Sequence, residues 1–258
     1  MKQLALALAA KLTDPGQALN CLREYLQVFV LGTLHDCEAF RSLAFVGETA
    51  LRFLHNIPRF SEDLDFSLTN ADNFTGEKWM NKLKAELSLS GFEPEATWND
   101  RKSVHIGWVR LSSVLHEAGL SAFPSQKLAI KLEIDTNPPA GAHCERHVIT
   151  RFRTFAIQHY DLSSLLAGKI HAAITRKYIK GRDWYDLLWY RSQRPPVDPN
   201  LALLQNAFDQ TQGAGSLIAR NWVEYVRFRL DSVDFDVIAA DVLPFLDSAS
   251  PLGRCNGY

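Results

Sequence analysis

Asp63 and Asp65 stand two residues apart in Ser61-Glu-Asp-Leu-Asp-Phe-Ser67, where Leu64 and Phe66 alternate with them. A strand has a side-chain period of two, so both carboxylates fall on one face with Cα atoms roughly 6.6 Å apart. Upstream, the apolar run Leu43 to Val46 ends at Gly47, the pattern of a buried strand entering a turn. Thr49 to His55 then follows helical spacing, with Ala50, Leu51 and Leu54 on one side and Pro58 closing the segment. A helix that opens at such a turn offers N–H groups and a positive dipole end to phosphate oxygens, with Gly47 and Thr49 nearest. Paired carboxylates are hard oxygen donors of the kind that share Mg²⁺, or Mn²⁺, with a substrate triphosphate. The chemistry these spacings allow is therefore metal-assisted handling of a phosphorylated substrate.

A second acidic segment lies at Gln126 to Thr136. There Lys127, Lys131, Glu133 and Asp135 alternate against Leu128, Ile130, Leu132 and Ile134, so the polar set lines one face of a strand whose other face is buried.

The stretch Gly47-Glu-Thr-Ala-Leu51 followed by Pro58-Arg-Phe-Ser-Glu-Asp-Leu-Asp-Phe66 resembles the AbiEii/AbiGii toxin family. These are abortive-infection nucleotidyltransferases of the polymerase-β-like superfamily. A second resemblance follows in Lys169 and Lys180-Gly-Arg-Asp-Trp-Tyr-Asp186, similar to the family's lysine and Arg-Asp-x-x-Asp element. The two signatures occur in the family's order, between about Phe45 and Asp186. The resemblance implies an NTP-dependent nucleotidyltransferase using Mg²⁺ or Mn²⁺. It further implies a toxin of a type IV toxin–antitoxin system, with a cognate antitoxin and, by family precedent, a tRNA acceptor. Asp63 and Asp65 are then the metal-holding catalytic acids. A third carboxylate comes from a neighbouring strand; Glu133 and Asp135 both qualify, and the family's lysine-x-acid pattern favours Glu133. Gly47, Thr49, Ser61, Lys169 and Arg176 are implied to hold the nucleotide, with Lys169 clamping the triphosphate and Asp183 beside it. Asp183 could instead cap the helix after Gly181, and Asp186 could pair with Arg182. One position departs from the family: Glu48 stands where a second small residue is usual. It is expected to point outward from the first helical turn, away from any phosphate.

The 258 residues hold one large domain or two modest ones. A formal charge of −1 gives no net attraction to nucleic acid, but the distribution is uneven. Arg151 to Arg194 carries nine Lys/Arg against three Asp, and Asp231 to Asp247 carries five Asp and no base. The first of these is a candidate bed for a polyanion, though solvated helix faces have the same composition. Cys21, Cys37, Cys144 and Cys255 are too scattered for a zinc site or disulfide framework. The start, Met1 to Ala10, has only a short apolar run before Lys11, Asp14 and Pro15, and reads as an amphipathic helix. No stretch approaches the ~18 apolar residues of a membrane span, so a cytoplasmic protein is expected.

Helices are expected over Ala18 to Thr33, Glu77 to Ser90 and Asp161 to Lys180, with another opening at Arg182. Strands are expected at Val104 to Leu111 and Phe152 to Gln158. Three helices should fill Leu201 to Asp247, with Trp222, Tyr225 and Phe228 in their core. The Gly253 to Tyr258 tail carries no signal. The fold class is α+β: a polymerase-β-like nucleotidyltransferase core with a small mixed sheet over residues 1–160, then a helical C-terminal region over 161–258. Two other classes use similar residues. A non-catalytic nucleotide-binding regulator is compatible with Glu48, and an Asp-x-Asp glycosyltransferase shares the metal logic but has no need of the glycine turn or the later lysine.

Overall fold

The computed structural model describes residues 1–72 and 74–247; Cys255 and the 253–258 tail lie outside the described residues. The chain divides into two compact units. The first comprises residues 1–137 and 146–158, with Asp247; the second comprises 138–145 and 159–246.

The first unit opens with α1 (Lys2–Ala9) and α2 (Pro15–Asp36). The Asp14-Pro15-Gly16 break is the start of α2: Asp14 accepts from the Gln17 N–H at 2.8 Å, and Pro15 occupies the first turn. Leu22, Leu26, Val28, Val30 and Leu31 are all buried, so α2 is covered on more than one side. The chain continues as β1 (Leu43–Val46), α3 (Gly47–His55), β2 (Leu64–Leu68), α4 (Gly76–Leu89), β3 (Glu93–Asn99), β4 (Val104–Ser112), the short α5 (Val114–Glu117) and β5 (Leu128–Asp135). Asp63 thus lies just ahead of the strand that carries Asp65. The strands β6 (Cys144–Ile149) and β7 (Phe155–Tyr160) complete a seven-stranded mixed sheet of order β3-β4-β5-β2-β1-β7-β6. β5 runs parallel to β2, while β1 with β2, β4 with β5 and β3 with β4 are antiparallel. The sheet is larger than expected because β6 carries no alternating burial that could mark it; most of its residues are exposed.

Beneath the start of α3 lies a buried ion pair. Glu48 is 7% exposed and Arg59 fully buried, with Nη2 of Arg59 3.3 Å from Oε2 of Glu48. Glu48 therefore points inward and not outward as expected, because a buried guanidinium needs a counter-charge. On the same helix, Arg52 is held by Glu24 of α2 at 2.8 Å.

In the second unit, Asp161 caps α6 (Leu162–Thr175), accepting from the Ser164 N–H at 2.7 Å. The helix ends at Thr175, short of the expected Lys180, because Arg176 turns to extended backbone and its carbonyl accepts from Arg229 at 2.7 Å. α7 (Gly181–Ser192), α8 (Leu201–Gln212), α9 (Trp222–Leu230) and α10 (Phe235–Val242) follow. Lys169, on α6, is buried with its ammonium 3.0 Å from Asp183 and 2.8 Å from Asp186 of α7. Arg176 closes on the second oxygen of Asp183. Asp183 does not cap α7, whose N-cap is Lys180; Asp186 lies 2.8 Å from the Lys169 ammonium, and Arg182 pairs with Asp241. α9 fully buries none of its residues: Phe228 is 76% exposed, contrary to expectation, while Trp222 and Tyr225 are half-buried and Tyr225 packs edge-on to buried Phe208.

The region Arg151 to Arg194 is not one solvated basic face. Arg151 and Arg153 belong to the first unit and pair with Glu24 and Asp36; Lys169, Arg176 and Arg182 pair within the second. More than half of its cations are thus engaged by acids.

Removing one partner of a buried pair leaves the other charge uncompensated, at a cost of about 3–5 kcal/mol. Glu48→Ala should therefore lower the thermal midpoint clearly, and adding Arg59→Met should recover part of that loss. A Glu48→Ala protein that melts like wild type in calorimetry contradicts the pair's role. Lys169→Ala should likewise lose stability on the order of 10 °C in midpoint, since Asp186 loses the cation that neutralises it. A Lys169→Ala protein that keeps its melting temperature but loses nucleotide binding instead assigns Lys169 to a phosphate.

Candidate active site

Three buried groups fix the chain that enters β2. The side-chain amide of Gln27, from α2, donates to the carbonyls of Ser61 at 3.0 Å and Glu62 at 2.9 Å. The Thr49 hydroxyl, fully buried on α3, donates to the carbonyl of Asp63. Arg59 donates to the Phe60 carbonyl at 3.0 Å while held by Glu48. Each satisfies a carbonyl that strand pairing has not yet reached. Thr49 thus offers a phosphate only its backbone N–H, because its one hydroxyl proton is used here. Ser61, expected among the nucleotide contacts, is itself buried.

Gly47 has φ of +78°, and a Cβ built on it would lie 2.3 Å from an Asp65 carboxylate oxygen. Both facts require glycine: the backbone is in the left-handed region, and the acid packs directly against the turn. Val46 stands opposite Asp65 in the antiparallel ladder, and on the other side Asp65 is in register with Glu133 of β5. Asp65 and Glu133 therefore share one face on neighbouring strands. Asp135 lies one pleat further along, level with Ser67, and its Oδ1 accepts from the Asn137 N–H at 2.9 Å. Of the two alternatives, Glu133 is the one beside the aspartate pair.

Lys131 joins this face. Its ammonium is 2.6 Å from Glu133. Burial pulls its pKa down, but the hydrogen bond and charge of Glu133, with the charges of Asp63 and Asp65, outweigh that and hold it above the usual lysine value. Asp63, Asp65, Glu133 and Lys131 thus form one electrostatic neighbourhood. Among the described residues no group of three or more His, Cys, Asp or Glu side chains is gathered to hold a metal by protein ligands alone. The donor chemistry still fits Mg²⁺, which commonly takes one or two carboxylates and completes its shell with water and substrate phosphates. Lys169, Arg176 and Asp183 belong to the second unit, in the ion-pair cluster described above.

Gln27, Arg59 and Lys131 were not anticipated as part of this arrangement. Gln27 had one signal, a lone amide within an apolar helix; Lys131 had another, its place on the acid face of β5.

Among the described residues no helix is long and apolar enough to cross a membrane. No curated protein matches the chain. Among solved structures, a proposed nucleotidyltransferase from H. pylori shares 20% identity, covering 81% of this chain and 92% of its own, with a TM-score of 0.49. JHP933 from Helicobacter pylori shares 18% identity, covering 86% of this chain and 96% of its own, with a TM-score of 0.46. The family model described as "Nucleotidyl transferase AbiEii toxin, Type IV TA system" matches residues 30–250, a span that includes the Gly47 turn, the acid face and the Lys169 cluster. On that match the chain belongs to the AbiEii nucleotidyltransferase toxin family of type IV toxin–antitoxin systems.

Proposed function

We propose that this nucleotidyltransferase moves a nucleotide from an NTP to the hydroxyl of a tRNA acceptor, with Mg²⁺ held at Asp63 and Asp65. The observation that carries the reading is the register of Asp65 with Glu133 on adjacent parallel strands, beside the glycine turn that packs on Asp65. In this reading the N-terminal turn of α3 binds the leaving phosphates through its backbone N–H groups and positive dipole end. Glu133 accepts the proton of the acceptor hydroxyl as its oxygen bonds to the α-phosphorus. The bond from that phosphorus to the bridging oxygen breaks, and pyrophosphate leaves over the turn. Asp63 and Asp65 would hold a Mg²⁺, which would supply charge neutralisation for the phosphate oxygens. Lys131 keeps Glu133 in place in the meantime and gives the face a positive counter-charge. Lys169 and Asp183 serve by joining α6 to α7, which supports the second unit rather than the triphosphate. Antitoxin binding follows from membership of a two-component system.

Incubation with each labelled NTP and total tRNA, with and without Mg²⁺, tests the reaction; label that stays off tRNA in every mixture removes the acceptor assignment. Asp63→Asn and Asp65→Asn should each cut transfer by about a hundred- to a thousandfold, the scale of losing one preorganised electrostatic group. Their melting temperatures should change little. Gly47→Ala should be as inactive, since its methyl displaces the Asp65 carboxylate. Glu133→Gln should match the aspartate variants, whereas Asp135→Asn should keep most activity. The reverse order in that last pair moves the third carboxylate to Asp135.

A further inference from the structure

The sheet order sets a direction across the site. From β1 outward, the row reads Gly47 turn, Asp65 on β2, Glu133 and Lys131 on β5, and then β4. In a displacement at phosphorus the entering and leaving oxygens lie roughly in line. If pyrophosphate leaves over the Gly47 turn, the acceptor hydroxyl arrives from the opposite side, over β5. The next surface in that direction is β4, where Trp108 is in register with Lys131 and Ile106 with Glu133. Trp108 therefore faces the same side as the acids, about one strand spacing of 4.8 Å beyond Lys131.

The opposite face of β4 is occupied. A Cβ on Gly107 would meet the sulfur of Met80 from α4 at 2.8 Å, and Trp98 packs there with Phe74 and His105. Trp98 and Trp108 are both half-buried, Trp98 on the α4 side of the sheet and Trp108 on the acid side. Two cations lie over the Trp108 indole, with Glu133 against Lys131 and Glu95 opposite Arg110. The Arg110 guanidinium lies 5.0 Å from the ring centroid and the Lys131 ammonium 5.7 Å. Arg110 also reaches Thr97 of β3 at 3.4 Å, and the nearby Glu95 is held by Lys127 at 2.5 Å. An aromatic ring with basic side chains over it combines the groups that bind single-stranded nucleic acid, which stacks a base on an aromatic or guanidinium plane and pairs its phosphate.

We propose that Trp108 and Arg110 form the acceptor subsite, stacking the unpaired terminal base of a single-stranded 3′ end while Arg110 meets its phosphate. This rests on the nucleotidyl-transfer reading above and adds which strand receives the acceptor. A stacked base on Trp108 leaves its 3′ oxygen over β5, beside Glu133, within the span of one nucleotide. Neither residue is assigned a part in holding the NTP.

The test uses the full chain, a fluorescein-labelled single-stranded RNA decamer with a free 3′-OH, and labelled NTP with Mg²⁺ measured separately. Trp108→Ala should weaken RNA binding roughly tenfold or more, Trp108→Phe should restore most of it, and NTP binding should not move. Arg110→Ala should flatten the salt dependence of RNA binding by about one phosphate contact. In transfer assays Trp108→Ala should raise the acceptor KM with kcat largely kept. Unchanged RNA affinity in Trp108→Ala overturns the proposal, as does a loss confined to NTP binding, which makes the indole a donor-side platform. Wild-type protein that binds NTP but no RNA also overturns it, whereas wild-type protein that transfers to no acceptor at all fails the underlying reading instead.

Discussion

The site depends on how one short segment is held before it becomes a strand. Residues 59 to 63 must deliver two like charges to the sheet, and like charges do not converge unaided. Gln27 and Thr49 reach the segment from two different helices, and Arg59 bonds it from within; each donates to a carbonyl that the ladder does not satisfy. Removing any of these donors strands a buried acceptor, a larger loss than a typical net hydrogen bond. The backbone is therefore fixed by groups that never face the substrate, and the acids inherit their direction from it. Glu48 belongs to this support: its carboxylate makes the burial of Arg59 tolerable.

The two units handle charge differently. In the second, Lys169 and Arg176 are matched by Asp183 and Asp186, and the cluster is locally neutral and closed. In the first, Asp63, Asp65 and Glu133 lie near Lys131, whose ammonium is 2.6 Å from Glu133. Carboxylates gathered on a rigid sheet face are useful for holding a cation. The same residue types thus join two helices in one unit and line a sheet face in the other.

Much of this was legible in the residues. Period-two alternation placed Asp65 and Glu133 on polar faces and buried Leu64, Phe66, Leu132 and Ile134, as observed. Gly47, Pro58 and Asp161 marked element ends because their backbone chemistry is local, whereas α2 begins at Pro15, ahead of the expected Ala18. Partnerships were not legible, since they depend on residues far apart in sequence. Nothing local distinguishes Glu48 pointing at solvent from Glu48 pointing at Arg59, or Asp186 paired to Arg182 from Asp186 paired to Lys169. α6 was expected to run on to Lys180 because its composition stays helical, and a contact from Arg229 ends it sooner. Phe228 has helical spacing with Trp222 and Tyr225, but periodicity names a face without saying whether anything covers it.

The parallel pairing of β2 with β5 has a consequence for when the site comes into being. Antiparallel neighbours can zip from a nearby turn, but a parallel pair needs the intervening chain to loop back. Here that loop contains α4, β3, β4 and α5, so Asp65 meets Glu133 only after all of them have been made. Closing a long loop early in folding is entropically unfavourable, and such contacts are among the slower ones to form. During synthesis from the N-terminus, a nascent chain that has reached β4 already contains both aspartates, the glycine turn and β1 beside them, yet not the β5 strand that carries Glu133. The assembled acid face is thus a property of a nearly finished first unit. For a protein of a toxin family, this delays the complete constellation until most of its scaffold exists.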